Sequence, residues 1–319
     1  MYDVVVVGGG AAGLIAAGMA AERGASVLLL ERKHRIGMKL RITGKGKCNI
    51  TNTRDMDYYR TKVFGPEEVW VKALEQFTNR DIVDLLEANG LPTVIERGDR
   101  VYPKSGKAAD VVETLVAYVE KGGATILLNA LVEHLKPQDD GSIALGVNVD
   151  GQPQSFIGRS VIMATGGKSY PSTGSDGQAY GVLQEVGHTI TELYPALVAF
   201  ETLPRLYEKE RFPLKNVGVE LRVDGQTVAQ DFGDMELTPE GVGGSTILRV
   251  SREAVLASNR GKVPVCVLDL KPSRTAEQLA ERIERDVRER SGEQLFSIAR
   301  AWLPAPLVPP VLRFAGANP

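Results

Sequence analysis

A glycine pattern near the amino terminus constrains the fold of this chain more than any other feature. Gly8, Gly10 and Gly13 follow the apolar, β-branched run 2–7 and precede an Ala-rich helical pattern. In such a pattern the first glycine permits a tight turn, the second lets backbone approach a pyrophosphate, and the third lets a helix pack closely on a strand. The pattern predicts a strand, a turn and a helix whose N-terminus offers free N–H groups to an anion.

The next segment completes a nucleotide-binding unit. Residues 25–30 form a second apolar run that ends at Glu31, 18 residues after Gly13. A carboxylate at this position can accept hydrogen bonds from both hydroxyls of a ribose. It also repels a 2′-phosphate. The sequence therefore favours FAD or NAD over NADP as the ligand. The alternative is a glycine-rich turn in an ordinary α/β protein, which the combination of features disfavours.

Composition excludes several classes of protein. Residues 4–21 carry no charge, but they contain five glycines and follow Asp3, so we predict a buried strand and helix with neither a membrane span nor a signal peptide. Cys48 and Cys266 are the only cysteines and have no CxxC spacing, which favours a reducing, cytoplasmic location. The histidines are isolated, so we predict no metal site. A net charge of −2 gives no general attraction to nucleic acid.

The character of the chain changes after residue 191. Residues 125–132 and 161–164 are strand-like, and 110–121 form an amphipathic helix. Asp224 and Gly225 are typical of a type I′ hairpin turn, and 275–291 are amphipathic with Thr275 and Gln278 as a capping box. We therefore predict an α/β fold: a Rossmann-like FAD-binding domain at 1–191 with a parallel sheet and a β-meander, and an inserted, mainly antiparallel β domain with helices at 192–319, which binds substrate.

Several motifs carry a resemblance to a known family. They are GMKLRITGKGKCNITN at 37–52, RVYP at 100–103, VIMATGG at 161–167, GKSYPSTGSDG at 167–177 and PALV at 195–198. Together with the glycine pattern they resemble the BaiN/HI0933-type (YhiN-like) flavoproteins, within the two-dinucleotide-binding-domain superfamily. The matches span most of residues 1–200.

The resemblance implies FAD as cofactor and NAD(P)H as reductant. The cofactor-binding residues that the glycine pattern and the resemblance together suggest are Gly8, Gly10, Ala11, Ala12, Gly13, Glu31, Arg32, Lys39, Gly44, Cys48, Asn49, Thr51, Asn52, Val132, Ala164, Thr165, Gly166 and Gly167. The flavin would pass hydride to a C=C conjugated with a carbonyl, which also needs a proton donor; the candidates are Tyr170, Tyr102 and Cys48.

The resemblance implies two possible substrate classes. A third hypothesis is that the protein is not an enzyme. Related proteins are associated with steroid-like enones or with uridine in ribosomal RNA, and we favour a small, unsaturated substrate. The chain departs from the family pattern at Pro239 and Ser245, where His and Pro are usual. It also lacks the segment that closes over the flavin, so we expect the second domain to be truncated at its C-terminal end. A truncated chain could instead be a nucleotide-binding module without activity.

A run of basic residues bears on the hypothesis that the substrate is RNA. Residues 32–54 hold eight basic and no acidic side chains: Arg32, Lys33, Arg35, Lys39, Arg41, Lys45, Lys47 and Arg54. The run could be a solvated face, could neutralise the phosphates of FAD and of a reductant, or could bind RNA with Tyr58 and Tyr59 stacking on bases. Its charges could also lower the pKa of Cys48, although we favour a buried, unreactive thiol there.

Overall fold

The chain divides into two compact units. A computed structural model describes residues 1–203, 205, 207 and 210–318. The units are Met1–Thr191 and Glu192–Pro319. The division falls where the hydrophobic pattern of the sequence changes; the assignment of substrate binding to the second unit stays a prediction.

The first unit is an α/β domain. Its strands are β1 (Tyr2–Val7), β2 (Val27–Leu30), β3 (Thr51–Asn52), β4 (Thr93–Glu96), β5 (Arg100–Pro103), β6 (Thr125–Leu127), β7 (Ala130–Pro137), β8 (Ile143–Val149) and β9 (Gln152–Met163). Its helices are α1 (Ala11–Glu22), α2 (Met38–Ile42), α3 (Met56–Arg60), α4 (Glu67–Gln76), α5 (Asn79–Ala88), α6 (Ala108–Lys121) and α7 (Gln178–Glu185). The uncharged stretch at 4–21 is β1 and α1, as the sequence predicts.

The main sheet has the strand order β6-β2-β1-β9-β8-β7. Strands β6, β2, β1 and β9 run parallel, and β7, β8 and β9 form an antiparallel meander. Val5 and Val6 in the central strand are fully buried, because both faces of the sheet are covered by apolar side chains. This arrangement confirms the predicted Rossmann-like fold with its β-meander.

The register of the parallel strands positions the candidate site. Val7 at the end of β1 pairs with Leu30 of β2 and with Met163 of β9. The residues that follow these three strands are therefore neighbours at one edge of the sheet. They are the glycine turn, Glu31 and Ala164, which lie far apart in sequence.

Two features of the first unit differ from the sequence prediction. The strand predicted over 125–132 is interrupted, since Asn129 has a φ of 51° and separates β6 from β7. A small antiparallel sheet of order β3-β5-β4, which the hydrophobic pattern does not indicate, lies apart from the main sheet. Its strands are only two to four residues long, too short for periodicity to show.

The second unit is mainly antiparallel. Its described strands are β10 (Phe200–Glu201), β11 (Phe212–Val223), β12 (Gln226–Leu237), β13 (Gly241–Gly243) and β14 (Val265–Asp269), in the sheet order β10-β13-β12-β11-β14. Its helices are α8 (Ser245–Asn259), α9 (Ala276–Glu289), α10 (Leu295–Ala299) and α11 (Val308–Phe314).

Turn and capping chemistry in this unit match the sequence prediction. Asp224 and Gly225, between β11 and β12, have φ values of 52° and 79°, as a type I′ turn requires. Thr275 and Gln278 form the predicted capping box at the start of α9. Within the described ranges, no helix combines the length and the apolar character that crossing a bilayer requires.

Candidate nucleotide-binding site

Glycine is needed both in the turn after β1 and in the first turn of α1, because backbone atoms lie against both positions. A Cβ on Gly8, whose φ is +110°, would lie 2.5 Å from the carbonyl oxygen of Ala164. A Cβ on Gly13 would lie 1.8 Å from the carbonyl oxygen of Gly8. The turn therefore contacts both the end of β9 and helix α1.

The N-terminus of α1 is open to an anion. Gly10 is its N-cap and provides no side-chain hydrogen bond, and a Cβ built on Gly10 meets no atom within 4 Å. The first backbone N–H groups of the helix, including those of Ala11 and Ala12, therefore face open space with the positive end of the helix dipole. This cradle fits a pyrophosphate.

Glu31 is buried beside the glycine turn. Its Oε2 accepts a 2.7 Å hydrogen bond from the backbone N–H of Gly9, and its Oε1 accepts a 2.7 Å hydrogen bond from the backbone N–H of Lys33. A carboxylate has about four lone-pair sites, so two remain for the hydroxyls of a ribose. The two backbone donors fix the orientation of the carboxylate before any ligand binds.

The A-T-G-G element continues β9 along the same edge. The backbone N–H of Ala164 donates to the carbonyl oxygen of Val7 at 2.8 Å. Gly166 has a φ of +75°, and a Cβ there would lie 2.8 Å from Oγ of Ser175. The positive φ of Gly166 favours glycine there, and Ser175 from the chain at 173–178 lies close beside it.

These elements surround one cavity of about 540 Å³, which is within the range of small-molecule sites. Of the predicted cofactor residues, those that line it are Gly8, Gly10, Ala11, Ala12, Glu31, Arg32, Lys39, Val132, Ala164, Thr165, Gly166 and Gly167. Residues that line it without having been predicted include Gly9, Met38, Thr43, Ala130, Leu131 and 173–180.

The 173–178 segment, which comprises residues 173 to 178, is the main part of the site that the sequence does not predict. Asp176 pairs with Arg32 at 2.8 Å, Ser175 donates to the carbonyl oxygen of Thr165 at 3.4 Å, and Gln178 donates to that of Val132 at 3.4 Å. The segment therefore contacts the residues that follow β2 and β9, and it contacts β7. The sequence signal that could have indicated this segment is the pair of glycines, Gly174 and Gly177, with an acidic residue between them.

Other predicted site residues do not line the cavity. Gly13 contributes through packing, as described above. Gly44, Cys48, Asn49, Thr51 and Asn52 lie in or beside the turn after α2 and in β3, outside the lining. Tyr102 lies in β5, and Tyr170 is 65% exposed. The roles of these residues in cofactor binding or proton donation stay predictions.

The idea that basic neighbours lower the pKa of Cys48 is wrong. The side chain is 1% exposed, within the apolar core between the main sheet and its helices. Burial disfavours the thiolate and raises the pKa of Cys48 to about 11. The favoured reading, a buried thiol, is confirmed.

Half of the basic run is paired with acids. Its ion pairs join Arg32 to Asp176, Arg41 to Glu113, Lys47 to Glu96 and Arg54 to Asp99. The ring of Tyr58, which the RNA reading needs for stacking, lies beneath the cations of Arg54 and Lys62. Lys39 is the member of the run that lines the cavity together with Arg32. The run is therefore not a uniform, unpaired phosphate-binding face.

The side chains that could ligate a metal ion are scattered in the described ranges. These ranges contain no group of three or more His, Cys, Asp or Glu side chains arranged to hold an ion. His134 is instead 3.1 Å from Glu185, at the surface.

Comparison with known proteins gives the same family that the sequence motifs resemble. A family model described as "HI0933-like protein Rossmann domain" matches residues 2–270. A 3-dehydro-bile acid delta(4,6)-reductase of Clostridium scindens is 32% identical over 88% of this chain and 67% of its own length. A ribosomal RNA dihydrouridine synthase of Haemophilus influenzae is 26% identical over 77% of this chain and 60% of its own. The chain thus spans about two thirds or less of the length of these relatives.

Among solved structures, a 3-ketosteroid-delta4-(5alpha)-dehydrogenase from Rhodococcus jostii aligns with a TM-score of 0.43 and 22% identity. The alignment covers 53% of this chain and 46% of that protein. At this level of similarity it carries no argument about substrate.

Proposed function

Because the chain belongs to the HI0933-like protein family, we propose that it is a flavin-dependent oxidoreductase acting on a carbonyl-conjugated C=C of a small, steroid-like substrate. The observation that carries the proposal is one cavity in which the open N-terminus of α1, the Glu31 carboxylate and the A-T-G-G element meet. A dinucleotide needs all three: an anion site, a ribose acceptor and close backbone approach.

The residues of the chain would hold FAD in a fixed orientation. The N–H groups at Gly10, Ala11 and Ala12 would bind the pyrophosphate, with Lys39 as a cation in the same cavity. Glu31 would accept the ribose hydroxyls on the lone pairs that Gly9 and Lys33 leave free. The flavin, when bound, supplies the hydride transfer; the protein supplies position and electrostatics.

Reduction of an enone also requires a proton at the α carbon. Cys48 is a poor source because burial places its thiol in the core, away from the cavity lining. Of the tyrosines, Tyr170 is exposed and precedes the 173–178 segment, while Tyr102 lies near the turn after α2, where its ring is 3.6 Å from the Cβ position of Gly44. We keep Tyr170 and Tyr102 as the candidate donors.

The substrate class rests on a relative. The bile acid reductase shares 32% identity over most of this chain, and its named reaction is the reduction of double bonds in a steroid. An overall reaction of this class consumes NAD(P)H and a proton and gives NAD(P)⁺ and the saturated ketone. We propose NAD(P)H as the reductant, because the resemblance of the sequence motifs to flavoproteins implies it.

Flavin content and turnover test the proposal. The purified chain should be yellow, with a flavin absorption band, and should oxidise NADH or NADPH anaerobically in the presence of a 3-keto-Δ4 steroid. A protein that binds no FAD even at high concentration would contradict it. Flavin binding without turnover would favour the non-enzymatic nucleotide-binding module.

The second candidate, reduction of uridine in ribosomal RNA, is favoured by the 26% identical relative from Haemophilus influenzae. The ion pairs that join half of the basic run to acids weigh against it, because an RNA phosphate would have to compete with those carboxylates. The salt dependence of binding to ribosomal RNA fragments separates the two candidates.

A further inference from the structure

An ion pair forms part of the cavity wall immediately after Glu31. Nη1 of Arg32 lies 2.8 Å from Oδ1 of Asp176, and both side chains are about one third exposed, at 29% and 37%. The two residues are 144 positions apart in sequence, yet both line the cavity. Arg32 directly follows Glu31 in the chain, so the ion pair begins beside the candidate ribose acceptor.

Asp176 is held in place independently of Arg32. Its Oδ1 also accepts a 3.1 Å hydrogen bond from the backbone N–H of Gln178. Gly174 and Gly177, on either side, have φ values of +105° and +87°, a conformation that favours glycine. The hydrogen bond from Gln178 and the Arg32 guanidinium keep the pKa of Asp176 below its ordinary value, although burial opposes them. The carboxylate is thus fixed and charged near neutral pH.

Arg32 would otherwise be suited to a different ligand. In Rossmann folds an arginine near the end of the second strand accommodates the 2′-phosphate of NADP. Here the guanidinium contacts Asp176 and, at 3.4 Å, the carbonyl oxygen of Gly174. The cavity lining thus contains two carboxylates, Glu31 and Asp176, and the guanidinium of Arg32 is already bound by one of them. Lys33 passes beside Gly174 but does not line the cavity.

We propose that Asp176 is a specificity-determining residue that closes this site to 2′-phosphorylated dinucleotides by holding Arg32 in an ion pair. The inference rests on the proposed function, because it takes the ribose of a bound ADP moiety to lie at Glu31. NADP(H) contains the same ADP moiety as FAD with one added phosphate. Asp176 therefore reserves the site for FAD in a cell that also contains NADP(H), and NADPH, if it is the reductant, must bind elsewhere.

A matched pair of ligands tests the inference. ADP-ribose and 2′-phospho-ADP-ribose differ only by the phosphate in question, and their affinities can be measured on the full chain by competition with FAD, followed by flavin fluorescence. The wild type should bind ADP-ribose at least about 100-fold more tightly. Asp176→Asn, which removes the charge at nearly constant shape, should reduce that ratio at least about tenfold through a gain in affinity for 2′-phospho-ADP-ribose, since a charge-assisted contact from Arg32 becomes available.

Three further variants make the result specific. Asp176→Ser keeps an acceptor for the Gln178 N–H, so it serves if the Asn variant folds poorly. The double variant Asp176→Asn/Arg32→Gln should lose the gain, because Arg32 is the proposed receptor. Asp140→Asn is the control: this carboxylate accepts similar local hydrogen bonds in the turn after β7 and lies outside the cavity lining.

The outcomes are distinguishable. An unchanged ratio in both Asp176 variants, with FAD still bound, would overturn the inference alone. A gain that survives in the double variant would also overturn it, because the phosphate would then have another receptor. A wild type that binds neither FAD nor ADP-ribose would overturn the proposed function, and the inference with it.

Discussion

The backbone N–H of Gly9 donates a 2.7 Å hydrogen bond to Oε2 of Glu31. This buried contact joins the glycine turn after β1 to the end of β2. Because the Lys33 N–H holds the other oxygen, the carboxylate has one orientation. Glu31 is therefore both a structural acceptor for two backbone donors and the candidate ribose ligand.

The first prediction separates these two roles of Glu31. Glu31→Ala removes the ribose acceptor, and a hydrogen bond to a charged group contributes ~1.5 to 3 kcal/mol, so FAD should bind about 10- to 100-fold more weakly. The thermal midpoint should also fall, because the N–H groups of Gly9 and Lys33 lose their partner. Glu31→Gln is the matched variant: it keeps one oxygen acceptor, so it should lose less stability than the Ala variant.

Fluorescence titration with FAD and thermal denaturation measure the two effects. Unchanged flavin affinity in Glu31→Ala would contradict the assignment of the ribose to this carboxylate.

The second prediction uses two glycines at the start of α1, the N-cap Gly10 and Gly13 in the first turn of the helix. Gly13→Ala would place Cβ 1.8 Å from the carbonyl oxygen of Gly8, so the helix must move and the free energy of unfolding should fall by about 3 kcal/mol. Gly10→Ala has open space around Cβ and a permitted φ of −86°. It should fold with nearly wild-type stability, yet bind FAD at least about tenfold more weakly, because the methyl group enters the cradle.

Urea denaturation and FAD titration on both variants give the comparison. The prediction would be wrong if Gly10→Ala bound FAD normally or if Gly13→Ala were as stable as the wild type.

The third prediction concerns the cysteines. Burial raises the pKa of both Cys48 and Cys266 from 9.0 to about 11. The unfolded chain releases these protons near pH 9, whereas the folded chain retains them until about pH 11. The thiols therefore have no effect on the pH dependence of stability below pH 9, and stability falls as pH rises from 9 to 11.

Thermal denaturation between pH 8 and 11 measures the slope. It should be shallower in a Cys48→Ala/Cys266→Ala variant, whose loss of packing is independent of pH. In the native wild type, both thiols should react slowly with a thiol reagent at pH 8. Rapid labelling of either would show that its pKa is not raised.

The local parts of the site could be predicted from the sequence, and the long-range parts could not. The glycine turn, Glu31 and the A-T-G-G element each carry a spacing that reflects their own backbone geometry. The Arg32–Asp176 contact depends instead on how a segment 144 residues away returns to the sheet. No periodicity encodes that return.

The basic run shows the same limit in its electrostatics. Between residues 32 and 54 the sequence contains no acid, but Glu96, Asp99, Glu113 and Asp176 reach the run from other elements. Cys48 lies among cations in sequence, yet its pKa is set by burial. In both cases the tertiary neighbours, rather than the sequence neighbours, determine the charge environment.

The last prediction distinguishes an RNA substrate from a small enone. Lys45 and Lys47 are exposed members of the basic run, although Lys47 lies 3.8 Å from Glu96. If the run bound RNA, Lys45→Ala/Lys47→Ala should reduce the slope of log affinity against log salt by about 0.7 to 0.9 per lost phosphate contact.

We expect instead that the flavin-loaded wild type binds ribosomal RNA fragments weakly at all salt concentrations. The double variant should bind RNA as weakly as a control in which Lys121 and Lys136, which lie outside the run, are replaced by Ala. The same flavin-loaded protein should reduce a 3-keto-Δ4 steroid. Tight, salt-sensitive RNA binding that the Lys45/Lys47 variant loses and the control retains would overturn the small-substrate proposal, because a chain with a net charge of −2 has no general affinity for nucleic acid to account for it.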